Sequence, residues 1–246
     1  MTMNPPTDST PVGNDFPTTH WSQVLSTSGP SPANAAALEQ LCAGYWRPLY
    51  AFLRRRGASP DDAQDLVQGF LQRLLERRDL ENTGPGRGRF RTYLLVGLRN
   101  FTINRAERDK AIKRGGGAIL VPLDLELAER LGLPDLAAPS PEAAYDRSWA
   151  RMILSRALDR LREEHVARRK EALFEVLAPF LDGADAHDYE AVAERLGMKR
   201  NAVAVAVHRM RGRLLEFLRA EVSQTVGTRA DSDAELRELL LALAQP

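Results

Sequence analysis

"GRGRFRTYLLVGLRNFTINRAERDKAIKRGGG", Gly86 to Gly117, carries apolar side chains at helical spacing in a background of arginine. At about 100° of turn per residue, Phe90, Leu94, Leu98 and Phe101 fall within roughly 80° of arc and form a core-facing stripe. Thr92, Arg99, Asn100 and Ile103 lie well away from that stripe, with Tyr93 and Asn104 at its flanks. Between Arg87 and Arg114, nine Lys/Arg are opposed only by Glu107 and Asp109. The whole chain of 246 residues has a net charge of only +1, so its charge is segregated and any attraction to a polyanion is local. Asparagine is a poor helix former, yet Asn100 and Asn104 sit about one turn apart on the non-core side. A glycine loop with two arginines precedes this helix and a basic tail ending in glycines follows it. Cations for phosphates beside amides for base edges suit a nucleic acid. A solvated helix face is the plainer alternative.

A second stretch points the same way. "DYEAVAERLGMKRNAVAVAVHRMRGRLLEFLR", Asp188 to Arg219, reads as two helices joined by a short turn. Tyr189, Val192, Ala193 and Leu196 give the first an apolar face, and Gly197 suits the left-handed residue that ends it. The second starts near Arg200, with Val203, Val207, Met210, Leu214 and Phe217 as its core stripe. Its opposite face presents Asn201, Ala204, Val205 and His208, flanked by Arg209 and Arg213 on one side and Arg200 and Arg211 on the other. A helix-turn-helix places such a second helix in the major groove of DNA. An ordinary antiparallel helix pair is the alternative.

Helical spacing dominates from Asn34 onward, and no alternating strand, G-x-G-x-x-G or P-loop pattern occurs. The expected fold class is all-α: two small helical domains, a bundle and a helix-turn-helix, joined by a flexible linker. Proline and glycine breaks set the expected ranges: a partly disordered N-terminal lead over 1–34, a first domain over 35–114, a linker over 115–140, a second domain over 141–222 and a helical extension over 223–246. In that extension Ser232 or Asp233 is expected as the cap. Leu236, Leu239, Leu240 and Leu243 form a stripe suited to docking on its own domain or on a regulatory partner. Cys42 is alone and the four histidines have no close ligand partners, so no disulfide, metal or other cofactor is expected. The absence of a long apolar run or secretory leader points to a cytoplasmic chain without membrane insertion.

Together these segments resemble the sigma factors of bacterial RNA polymerase, specifically the extracytoplasmic-function group. "YWRPLYAFLRRRGASPDDAQDLVQGFLQRLLE" resembles the family's first conserved segments, which bind the polymerase clamp. "FRTYLLVGLRNFTINRAERD" resembles the segment that melts and reads the −10 promoter element, and "YEAVAERLGMKRNAVAVAVHRMRGRL" the −35-reading domain. "FPTTHWSQVL", "KRGGG" and the C-terminal "TVGTRADSDAELRELL" resemble a subgroup common in planctomycete-type bacteria.

The resemblance implies core-polymerase contacts at Asp65, Gln68 and Gln72, with Asp61 and Asp62 capping their helix after Pro60. It implies −10 contacts at Arg89, Tyr93, Arg99, Asn100 and Asn104, where Asn100 matches the position lining a flipped-base pocket and Tyr93 an aromatic beside it. It implies −35 contacts at Arg200, Asn201, Val205, His208, Arg209 and Arg213. The implied partners are core RNA polymerase and promoter DNA, with an anti-sigma factor or other regulator as a further candidate. The chain departs from the pattern in three places. Gly69 replaces an acidic residue, Ala204, Val205 and Ala206 stand where Lys/Arg and Ser are usual, and Lys199 replaces a Thr or Ser cap. A stand-alone helix-turn-helix regulator remains the alternative function. A metal-dependent nuclease on Asp61, Asp62 and Asp65 lacks supporting ligands, so no enzymatic activity is expected.

Overall fold

The computed structural model describes residues 32–77, 89–112, 140–182 and 189–244. Among them every regular element is helical, as the sequence periodicity predicts. In chain order these are α1 (Pro32–Arg55), α2 (Pro60–Arg77), α3 (Phe90–Ile112), α4 (Pro141–Ala167), α5 (Glu171–Leu177), a 3-10 turn (Ala178–Asp182), α6 (Tyr189–Leu196), α7 (Arg200–Ser223) and α8 (Arg229–Ala244). The expected lead falls outside the described residues up to α1, and so does the expected linker except for Ser140.

Local chemistry sets the helix ends. Ser59, not Asp61 or Asp62, caps α2: its hydroxyl accepts from the Asp62 N–H at 3.1 Å and donates to the Asp62 carboxylate at 2.6 Å. Pro60 then takes the first helical position, where a missing N–H costs nothing. Ser140 caps α4 by accepting from the Ala143 N–H at 3.1 Å, again with proline first. Gly197 ends α6 at φ +62, with Met198 N–H bonded to Ala193 C=O and Gly197 N–H to Glu194 C=O. That pair of bonds is the Schellman arrangement anticipated from the glycine. α8 starts earlier than expected, because Thr228 supplies its cap through the Asp231 N–H at 3.2 Å. Ser232 and Asp233 therefore lie inside the helix.

α4 is the spine. It packs along α1 on one side and α7 on the other, with α8 against both α4 and α7. Tyr145, Trp149, Ile153, Ala157 and Leu161 are all essentially sealed and join the apolar faces of α1, α2, α3, α6, α7 and α8 in one continuous core. Phe90, Leu94 and Leu98 of the basic helix are fully buried, and the Phe90 ring meets Tyr45 edge-on at 5.1 Å. Phe101, the fourth member of the expected stripe, is only half-buried and leans on Phe70.

Candidate nucleic-acid interface

Three surfaces carry the residues singled out above. On α3, Tyr93, Asn100 and Asn104 come together. They line a cleft of about 180 Å³ with Phe70, Arg73, Leu74, Gly97 and Phe101. Asn100 and Asn104 are exposed and Tyr93 is half-buried, so the cleft offers an aromatic wall and amide groups at an open mouth. The missing side chain at Gly97 matters, because a Cβ there would stand 3.1 Å from the Phe70 ring. A glycine inside a helix costs about 1 kcal/mol relative to alanine, and that cost was the available signal for a close approach. Arg73 of α2, whose guanidinium lies 5.9 Å from the Phe101 ring centre, was not anticipated, because its spacing marks only a polar face.

Arg89 and Arg99 are not in the cleft. Arg99 pairs with Glu142 of α4 and lies over the Phe52 ring at 5.4 Å. Arg89 pairs with Glu235 and Glu238 of α8. Its neighbour Arg91 is only 8 % exposed and donates through Nε to Glu235 at 2.6 Å, with Asp146 and Glu238 as further partners. The second oxygen of Glu235 lies 2.8 Å from Arg89 but off the line of a hydrogen bond. Burial pushes the Glu235 carboxyl above the ordinary glutamate value, against the opposing pull of Arg91. Glu238 is less buried and settles below it, because Arg89 and Arg91 outweigh its desolvation.

The second surface lies on α2. Asp65, Gln68 and Gln72 are all exposed, and the two glutamines line a groove of about 450 Å³ with Trp46, Gln64, Leu71 and Leu75. Asp65 is not part of its lining. Trp46 is 37 % exposed and stacks on Tyr50 with ring centres 5.0 Å apart. An exposed tryptophan held flat beside an apolar groove is a typical protein-docking feature. Sequence spacing missed it because an aromatic on a helix usually means core.

The third surface is α7. Asn201, Val205 and His208 are exposed along one face, with Val205 at 48 %. Arg209 beside them is exposed and makes no ion pair among the described residues. Arg200 reaches across the turn to Glu190 at 3.6 Å, and Arg213 is drawn back to Glu164 at 2.7 Å and to Glu216. Arg211 is spent on the Phe180 carbonyl at 2.6 Å. Lys199 stands at the helix start without a side-chain cap, as its chemistry requires.

Residues 41–112, which hold most of α1 and all of α2 and α3, match the family model described as Sigma-70 region 2. The match spans both the α3 cleft and the α2 groove and supports a sigma-70-type role in transcription initiation. No curated protein and no solved structure matches the chain. Among the described residues, no helix is long and apolar enough to cross a membrane and no group of three or more His, Cys, Asp or Glu could hold a metal ion.

Proposed function

We infer that this chain is a non-enzymatic sigma factor of the extracytoplasmic-function type, in a planctomycete-like subgroup. It binds core RNA polymerase and directs it to promoters from the cytoplasm. The observation that carries this reading is the cleft lined by Tyr93, Asn100 and Asn104 inside the segment matching Sigma-70 region 2. Its volume, aromatic wall and amides suit one unstacked base of the −10 element. Extrusion of a base costs a few kcal/mol, and stacking on an aromatic returns about 1–3 kcal/mol. The groove at Gln68, Gln72 and Trp46, with Asp65 nearby, suits the polymerase clamp. The exposed face of Asn201, Val205, His208 and Arg209 suits the −35 duplex, where Val205 favours contact with a thymine methyl. The −10 and −35 contacts then lie on α3 and α7, two helices that share one core.

The test is reconstitution. Purified chain added to core RNA polymerase initiates transcription at a defined class of promoters that core enzyme alone ignores. Tight palindromic duplex binding by the free chain, with no effect on polymerase, would establish a stand-alone regulator instead.

A further inference from the structure

Three arginines at the start and middle of α3 are met by the chain's own carboxylates. Arg99 meets Glu142, Arg89 meets Glu235 and Glu238, and Arg91 meets Glu235, Glu238 and Asp146 while its guanidinium sits 4.5 Å from the Trp149 ring centre. All four acids lie on α4 or α8, helices that follow the expected linker in sequence. Backbone contacts reinforce the ion pairs. The first N–H of α3, at Phe90, donates to the Thr225 carbonyl just after α7 at 3.0 Å, and the Tyr145 hydroxyl of α4 donates to the Arg91 carbonyl at 2.9 Å. Thr225 and Val226, between α7 and α8, are buried, and Leu236 and Leu239 seat α8 in the core. The start of α3, where an anion is favoured by the helix dipole, is thus closed by the C-terminal part of the chain.

We propose that α8, with the acidic start of α4, is a built-in latch: it clamps α3 to the C-terminal half and withholds Arg89 and Arg99 from nucleic acid until it opens. The proposal rests on the reading of α3 as a nucleic-acid-binding helix. Arg91 is the structural pivot of the latch, since its guanidinium is enclosed. Arg89 and Arg99 are the cations that change partner, from carboxylate in the free chain to phosphate on an open promoter. Exchange of one anion for another explains how a strongly basic helix coexists with a nearly neutral molecule. The trigger is whatever competes for the carboxylates or for the α8 seat, and single-stranded DNA at low salt is the simplest competitor.

The experiment uses the full chain and a fluorescent random-sequence single-stranded oligonucleotide, with affinity followed by anisotropy across a salt series. Glu142→Gln and Glu238→Gln are combined, because both side chains are half-exposed and neither substitution leaves a sealed cavity. Glu171→Gln combined with Glu175→Gln, which breaks both pairs of Arg162 instead, controls for the loss of two negative charges alone. The double variant is expected to bind about five- to tenfold tighter than the wild-type chain at low salt. Its plot of log affinity against log salt steepens by about 0.7 for each arginine released to phosphate. The control changes affinity by less than about twofold. A folded double variant that binds no tighter than the control, with an unchanged slope, overturns the latch alone. If no form of the chain binds the oligonucleotide even at low salt, the nucleic-acid reading of α3 falls and takes the latch with it.

Discussion

α3 and α7 are both basic amphipathic helices of similar length, and they treat their charges differently. α7 keeps the face proposed to read a duplex clear: Asn201, Val205, His208 and Arg209 are exposed, while Arg200 and Arg213 are drawn aside to Glu190 and Glu164. α3 keeps an amide-lined cleft open while its arginines near the helix start are tied to acids from distant parts of the chain. The contrast follows from what each helix is proposed to meet. A duplex presents phosphates at full charge density on arrival, so a ready surface suffices. A melted strand exists only after opening, so a helix that waits for it gains from being masked.

The sharpest way to break this contrast is to remove the pivot. Glu235→Ala leaves Arg91 enclosed beside fewer counter-charges, and a buried pair that loses one partner costs about 3–5 kcal/mol. Urea unfolding followed by circular dichroism checks it, whereas Arg209→Ala on the exposed face of α7 shifts stability by less than about 0.5 kcal/mol. Next in size is the α2 groove proposed to meet the polymerase. Trp46→Ala weakens core-enzyme binding by about 2 kcal/mol, or roughly thirtyfold, read by fluorescence titration, without changing affinity for duplex DNA. Tyr93→Ala removes the aromatic wall of the cleft and lowers affinity for a single-stranded −10 oligonucleotide by about tenfold, with duplex binding through α7 intact. Arg209→Ala does the reverse: duplex affinity falls across all sequences and the salt slope flattens by about 0.9. The smallest effect concerns Cys42, whose thiol burial pushes up to about 12. Alkylation at neutral pH is expected to be slow in the wild-type chain and to speed up in Glu235→Ala, as mass spectrometry would read.

Much of this architecture was legible because local rules governed it. The 3.6-residue period located the stripes of α3 and α7, and Gly197 marked the end of α6 before its φ of +62 was known. Asn100 emerged from its angular position away from the stripe, Asn104 from its place one turn on at the flank and Tyr93 from the family resemblance, and the three do share a cleft. What escaped was non-local. Glu235 pairs with Arg91 across 144 residues of chain, a contact that no periodicity encodes. The leucine stripe of α8 promised a face through Leu236, Leu239, Leu240 and Leu243. The helix is instead turned so that Glu235 is sealed and Leu240 is exposed, because the arginines of α3 need a carboxylate there. Arg89 and Arg99 looked free for the same reason: a sequence reveals cations but not which distant acids fold onto them. Trp46 was hidden by the habit of placing aromatics inside. Ser59 and Thr228 show that a cap is chosen by where the chain turns, not by the nearest acid.

The most direct test of the central claim, that the α3 cleft takes up an unpaired promoter base, is permanganate reactivity of thymines in promoter DNA bound by core polymerase and the Asn100→Ala chain. The account predicts that this holoenzyme assembles normally and still occupies the duplex, yet leaves the −10 thymines unreactive where the wild-type chain exposes them. Wild-type reactivity with Asn100→Ala at equal occupancy would contradict it.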